Sequence, residues 1–232
     1  TKKLLELIGN ENANKVLESC LDPSMKISPN SSKKEREDFI QLKYRKCAFV
    51  ARRGQHDEVD IYDSIRQKNL LDVFKAICTM KYLEQNNELL YGALLEKSGY
   101  KKYSPLHLAA SIGDPLICHL IALNTEDPSQ LDDGGWSPLS YAAFYGHAEA
   151  AEVLLHDGVD PKRTIENHPY YIARSKNRLN MATMFLPYWD GDEKIPPKNF
   201  LPPVKTDIDE VDANAGRYAS LEALGKMNMN LI

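Results

Sequence analysis

The stretch Ser-Pro-Leu-His-Leu-Ala at residues 104–109 recurs 33 residues later as Ser-Pro-Leu-Ser-Tyr-Ala at residues 137–142. Each copy is followed at the same distance by a glycine, Gly113 in the first and Gly146 in the second. A third, degenerate copy, His-Pro-Tyr-Tyr-Ile-Ala, occupies residues 168–173. Self-similarity at a fixed period of roughly 20–50 residues is typical of chains built from stacked units. The repeat therefore predicts a solenoid and decides the fold.

The repeated motif contains the signals that begin and end a short helix. A serine before the helix can accept hydrogen bonds from its first N–H groups, and a proline in the first turn removes no bond there. The closing glycine can adopt the positive φ that ends a helix. Outer helices are expected at residues 148–156, ended by Gly158, and at residues 179–186, ended by Pro187. The predicted fold class is thus all-α, with helix pairs that are stable only when stacked.

The motif and its period resemble those of ankyrin repeats. In this interpretation residues 54–190 form the ankyrin stack, with clear repeats from Ser104 and Ser137 and a degenerate last one. Residues 61–77 fit another helix pair without the motif, which we interpret as an atypical first repeat. Residues 191–232 are predicted to be a linker or tail with two Pro-Pro pairs and a short helix near residues 220–227.

Composition excludes several classes of protein. A net charge of −4 argues against a general nucleic-acid binder, although residues 26–53 carry nine basic and only three acidic residues. No apolar run approaches the roughly 18 residues that a membrane-spanning helix needs. The sequence opens on Thr1 inside an apparent helix, so we expect it to begin partway through a longer protein. The cysteines are too widely spaced for a zinc site and are expected to be free thiols of a cytosolic protein: Cys20, Cys47, Cys78 and Cys118.

The first fifty residues predict further helices. An apolar face over residues 4–8, which includes Leu7, is closed by Gly9, and a second helix is expected from about residue 12 to residue 20. Ser32 and Glu35 have the spacing of a capping box. The helix that this box opens is expected to bury one stripe at i, i+4 and i+7, opposite a basic side: Ile40, Tyr44 and Cys47.

This segment resembles the C-terminal half of an ArfGAP domain. In that family a Gly-Asn pair and a later asparagine precede a long helix with a Phe-Ile and Lys-Tyr signature. The resemblance covers residues 1–53, and ankyrin repeats directly behind them are typical of ankyrin-bearing family members. The residues that carry the signature here are Gly9, Asn10, Asn14, Arg36, Phe39, Ile40, Lys43 and Tyr44.

The resemblance implies a GTPase-activating protein for Arf-type small GTPases in membrane traffic, cytoplasmic and peripheral to membranes. The family's four-cysteine zinc finger and catalytic arginine precede the stretch that begins here. We therefore expect no catalytic residue, metal ligand or cofactor in this chain, and zinc in the full-length protein. The alternative is an ankyrin-repeat scaffold or adaptor with no GAP activity.

Several of these residues allow two interpretations. Gly9, Asn10 and Asn14 are expected to end helices and bond nearby backbone, or else to contact the GTPase. The basic run of residues 43–53 is either a solvated helix side or a contact for anionic lipid headgroups. In the ankyrin stack, a partner-binding cluster is predicted as the alternative to internal packing: Asp132, Asp133, Trp136, Tyr141 and Tyr145.

The joint between the two segments is short. Only residues 53–59 separate the ArfGAP-like helix from the first predicted ankyrin helix, and a flexible tether would be longer and richer in glycine or serine. We therefore expect the ankyrin stack to dock directly on the ArfGAP-like helices.

Overall fold

A computed structural model describes residues 2–51, 59–85 and 103–190 of the chain. Within these three ranges the chain is helical and contains no strand, which confirms the all-α class. The predicted tail, its short helix and the proline pairs lie outside the described residues. The helices are α1 (Lys2–Leu17), α2 (Lys33–Ile40), α3 (Ile61–Arg66), α4 (Leu70–Gln85), α5 (Pro105–Ile112), α6 (Pro115–Ala122), α7 (Pro138–Tyr145), α8 (Ala148–His156), α9 (Pro169–Ser175) and α10 (Leu179–Phe185).

The motif begins and ends its helices as predicted. Before α7, the Ser137 hydroxyl accepts a hydrogen bond from a first-turn backbone N–H at 3.1 Å. Before α5, the backbone N–H of Ser104 donates to Nδ1 of His107, also at 3.1 Å. Gly113 and Gly146 follow these helices with φ values of 78° and 87°. The serine cap at Ser137 and the helix-ending glycines are therefore confirmed, while Ser104 holds the start of α5 through the His107 ring.

The units that lack the motif end their inner helices in the same way. Lys68, after α3, and Asn177, after α9, have φ values of 54° and 59°. They occupy the helix-ending position that Gly113 and Gly146 hold in the other units. The helix pair predicted at residues 61–77 is thus confirmed, although α4 runs on to Gln85.

The helices form a stack of four antiparallel pairs. The inner helices α3, α5, α7 and α9 pack against one another in chain order, and the outer helices α4, α6 and α8 do the same beside them. One continuous apolar core runs through all four pairs, from Ile61 in α3 to Phe185 in α10. In the described part of the chain, no helix combines the length and the apolar character needed to cross a bilayer.

The N-terminal helices share their core with the stack. Leu4 and Ile8 of α1 belong to the same buried cluster as Ile61, and α1 packs on α4. A second cluster joins Val16 and Val50 to Cys78 of α4. The expectation that the two segments dock directly is therefore confirmed, with the joint at residues 52–58 outside the described ranges.

The predicted apolar stripe on α2 is wrong. After Ile40 the helix widens into a π-helical turn, Gln41–Arg45, which shifts the later side chains around the axis. Ile40 is 49% and Tyr44 54% exposed, and only Cys47 of the stripe is buried. Leu7, which was expected on the apolar face of α1, is exposed as well. Phe39 and Lys43 are buried in place of the predicted pair.

Candidate functional site

A buried lysine ties the ArfGAP-like helices together. The Nζ of Lys43, in the π-helical turn, donates to Oδ1 of Asn14 at 2.6 Å and to Oε1 of Glu18 at 2.5 Å. The Lys43 side chain is only 6% exposed, and Lys26 lies 3.4 Å from the other Glu18 oxygen. A buried ammonium is tolerated only when its donors are satisfied by such partners. Asn14 and Lys43 therefore act as one clamp between α1 and the end of α2.

The electrostatics keep both groups of the clamp charged. The hydrogen bond from Lys43 lowers the pKa of the Glu18 carboxyl more than burial raises it. Burial by itself would lower the pKa of Lys43, but the interactions with Glu18 and Tyr44 together outweigh it and raise that pKa above its usual value. The clamp is an ion pair at neutral pH, and it cannot serve as a proton donor or acceptor there.

Replacing Lys43 by methionine should lower the free energy of unfolding by about 1–2 kcal/mol. The loss stays below that of a fully buried pair because Glu18 keeps some exposure and retains Lys26 as a partner. Urea unfolding at neutral pH measures it. Lys15→Met is the matched control, since Lys15 is 64% exposed and its pair with Glu11 should contribute no more than about 0.5 kcal/mol. Equal stability of K43M and the parent would contradict the clamp.

Most other signature residues also have structural positions. Phe39 stacks on Phe49 with ring centroids 5.6 Å apart. Arg36 donates from Nε to the Ser31 carbonyl at 3.0 Å and also bonds the Pro29 carbonyl, so it holds the turn before α2. Gly9 has a φ of 65° and kinks α1 where the helix break was predicted.

Besides Arg36, three signature residues are exposed. Asn10 is exposed, and so are Ile40 and Tyr44, which lie beside exposed Arg45 and Lys46. We call Ile40, Tyr44, Arg45 and Lys46 the α2 surface. Lys43 is buried and contributes nothing to this surface. Of the described residues in the basic run 43–53, this leaves Arg45 and Lys46 for the predicted contact with anionic lipid.

The predicted partner-binding cluster is largely internal. Oδ1 of Asp132 accepts hydrogen bonds from the backbone N–H groups of Gly134 and Trp136, both at 2.9 Å, and Oδ2 accepts one from the Tyr141 hydroxyl at 2.7 Å. Trp136 is 3% exposed and Tyr141 is fully buried. The Asp132 turn points the indole into the stack, so the prediction is wrong for Asp132, Trp136 and Tyr141. Internal packing, the alternative, is correct for these three.

The other two residues of that cluster lie at the surface. Asp133 is exposed at the loop, and Tyr145 is half-buried at the end of α7. The ring of Tyr145 meets that of Phe144 edge-on at 5.1 Å. Lys176, from the next repeat, lies over the Phe144 ring with Nζ 4.2 Å from its centroid. Phe144 and Lys176 were missed as surface residues because each lies in sequence just before a helix-ending position, outside the recognisable motif.

His107 makes hydrogen bonds at the start of its own helix and to the loop of the next repeat. Its Nδ1 accepts the Ser104 N–H, so the ring proton is on Nε2 and is donated to the Trp136 carbonyl at 3.1 Å. Burial lowers the pKa of His107 from 6.5 to about 4. The described residues contain no group of three or more His, Cys, Asp or Glu side chains that could hold a metal ion.

The repeats match a known family of repeat proteins. Residues 68–165 match the family model described as ankyrin repeats (3 copies). This range spans the first predicted outer helix and both clear copies of the motif. The presence of ankyrin repeats in the chain is therefore confirmed.

Curated relatives connect these repeats to GTPase regulators. The chain is 31% identical over 170 residues to the ARF GTPase-activating protein GIT2 of Homo sapiens, covering 66% of this chain and 21% of that protein. It is 28% identical over 165 residues to GIT1 of Homo sapiens, with the same two coverages. The 26S proteasome non-ATPase regulatory subunit 10 of Dictyostelium discoideum is 30% identical over 110 residues, 47% of this chain and 43% of that protein. The chain spans about a fifth of the length of the two ARF regulators.

Proposed function

We propose that this chain, which carries ankyrin repeats and is similar to ARF GTPase-activating proteins, is the regulatory part of an activator of Arf-type GTPases in membrane traffic. In this proposal α1 and α2 complete the activating domain. The ankyrin stack docks on them and binds a protein partner.

The observation that carries the proposal is the fit of the ArfGAP-like signature to one physical unit. Asn14 and Lys43, which are 29 positions apart in sequence, meet in the clamp around Glu18. The unit is fixed to α4 through the buried cluster that contains Val16 and Cys78. Through this contact α1 and α2 would hold an activating domain rigidly against the stack. Rigidity matters because catalysis depends on the positioning of the reacting groups.

The chemistry would come from the zinc finger and arginine that the family carries before these helices. An arginine supplied to the GTPase stabilises charge on the transferring phosphoryl group and is worth roughly 10³–10⁵ in rate. Ile40 and Tyr44, the exposed apolar part of the α2 surface, would pack against that preceding portion. Arg45 and Lys46 would face anionic lipid, where each basic residue contributes about 1 kcal/mol.

Single-turnover GTP hydrolysis by an Arf-type GTPase tests the proposal. The full-length protein should raise the rate by roughly 10³-fold or more. The 232-residue chain by itself should leave the intrinsic rate unchanged, since its sequence contains no four-cysteine finger to hold the arginine. Runs with and without anionic liposomes, on the parent and on R45E/K46E, isolate the membrane contribution. A full-length protein that leaves hydrolysis at the intrinsic rate would refute the proposal.

A plain ankyrin scaffold is the second candidate. It is favoured by the similarity to the proteasome regulatory subunit, whose name does not refer to a GTPase. This function predicts an ankyrin stack that binds its partner in a full-length protein without effect on GTP hydrolysis. The same assay therefore separates the two.

A further inference from the structure

The inner helices of the last three repeats have an unusual charge distribution. The ranges 104–113, 137–147 and 168–178, which contain α5, α7 and α9 with their caps, include no aspartate or glutamate. Their only lysine and arginines lie in the last range: Arg174, Lys176 and Arg178. The whole chain has a net charge of −4, so this face is positive on an otherwise acidic protein.

An aromatic platform lies next to these cations. Phe144 and Tyr145, at the end of α7, are half-buried and meet edge-on at 5.1 Å. Below them, the buried Trp136 ring meets Phe144 edge-on at 5.6 Å. Tyr145 is further stacked on the His147 ring at 6.3 Å. This packing holds the two rings in place. Binding of a ligand over them would therefore cost little side-chain entropy of the protein.

The three basic side chains make different contacts with the rest of the protein. Arg178 bonds the Ala143 and Phe144 carbonyls at the end of α7, so it supports the platform from inside. Lys176 lies over the Phe144 ring, and Arg174 donates to the Tyr170 hydroxyl at 3.3 Å. Both of these side chains are exposed, and among the described residues neither forms an ion pair with a carboxylate.

We propose that Phe144, Tyr145, Arg174 and Lys176, the platform face, bind an acidic protein segment that carries one apolar or aromatic anchor. The anchor would cover the two rings, and its neighbouring carboxylates would pair with Lys176 and Arg174. Tyrosine and arginine are among the residues that most often carry protein–protein binding energy. Partial desolvation under the anchor strengthens both the charge pairs and the cation–π contact. The inference deepens the partner-binding part of the proposed function and rests on it.

The surroundings of the platform face also fix its preferences. A nucleic acid would present negative charge along its whole length to a protein with a net charge of −4 and a pI near 5.9. An acidic peptide with its charges on one side of an anchor fits better.

Selection of a random 12-residue peptide phage library on the purified 232-residue chain tests this assignment. Recovered peptides should share an aromatic or large aliphatic residue followed or preceded by at least two acidic ones. The synthetic consensus peptide should bind more weakly as salt is raised. Recovery of peptides without acidic enrichment, or binding of a single-stranded oligouridine in preference to the consensus peptide, would overturn it.

Charge reversal locates the site. The double variant R174E/K176E should weaken the consensus peptide by about tenfold or more, because like charges then face each other. Lys33→Glu is the matched control, since Lys33 is 91% exposed on α2, and it should leave the affinity unchanged. Phe144→Ala removes the anchor site, with circular dichroism verifying that the helices persist. Unchanged affinity in R174E/K176E would refute the platform face, whatever the result for F144A.

The two proposals fail separately. R174E/K176E in the full-length protein should retain its effect on GTP hydrolysis while losing the peptide. A protein that binds the peptide through this face but does not activate an Arf-type GTPase would refute the activator function and leave this inference standing.

Discussion

Lowering the pH from 7.5 to 5 should reduce the free energy of unfolding by about 4 kcal/mol through two buried histidines. Burial lowers the pKa of His107 and of His168 from 6.5 to about 4. Each Nδ1 accepts a backbone N–H at 3.1 Å, from Ser104 and Tyr170 respectively, so neither ring can take a second proton without losing that bond. The unfolded chain protonates both rings at higher pH than the native chain does. Stability is therefore intact above about pH 6.5 and is lost progressively towards pH 4.

Urea unfolding curves at pH 7.5 and pH 5 measure this loss. H107Q and H168Q should each lose only about half as much stability between the two pH values as the parent does, whatever their stability at pH 7.5. His156, which has an 81% exposed side chain, provides the control, and H156Q should lose as much as the parent. A parent protein equally stable at both pH values would contradict neutral, buried rings.

Gly113→Ala should destabilise the stack by about 3 kcal/mol. Part of this loss is backbone strain, because Gly113 has a φ of 78°. The larger part is a collision, since an added Cβ would lie 2.2 Å from the ring of His147 in the next repeat. That ring has little freedom to move, because its Nε2 is 2.9 Å from the Ser111 carbonyl oxygen.

Two variants separate strain from collision. Gly158 has a φ of 86° but open space around it, so Gly158→Ala should cost only about 1–2 kcal/mol of strain. In a His147→Ala background, Gly113→Ala should cost no more than this strain. Thermal or urea unfolding measures all five proteins: the parent, G113A, G158A, H147A and G113A/H147A. If G113A cost the same with and without the His147 ring, the inter-repeat contact would play no part.

Helix boundaries in the repeats followed from local chemistry and could be predicted. The caps at Ser32, Ser104 and Ser137 and the stops at Gly113 and Gly146 depend on residues within one turn, so the sequence contains all that determines them. The stops at Lys68 and Asn177 were not predictable in this way. Neither residue is a glycine, although asparagine adopts positive φ more readily than most other residues.

The buried side of α2 depended on distant residues. Hydrophobicity favoured Ile40 and Tyr44 over a lysine, but both are exposed and Lys43 is buried. Asn14 and Glu18 are the partners that make this burial tolerable, and no local pattern indicates them.

The prediction of Trp136 as a partner-binding residue was wrong for a related reason. A tryptophan in a polar loop suggests an exposed anchor, but Asp132 closes the loop around its own backbone and turns the ring inwards. The surface aromatic residues are Phe144 and Tyr145 instead. Their importance depends on Lys176, which the stacking of α9 on α7 brings over Phe144.

Hydrogen–deuterium exchange of α1 within the 232-residue chain tests most directly the central claim that the ArfGAP-like helices and the ankyrin stack form one body. A 16-residue helix is marginal in water by itself, so protection of its amides reports docking on α4. We expect the amides around Ile8 and Val16 to exchange as slowly as those of α4, and to speed up together with them in an Ile8→Asp variant. Complete exchange of α1 within seconds, while α5 and α7 stay protected, would contradict the claim.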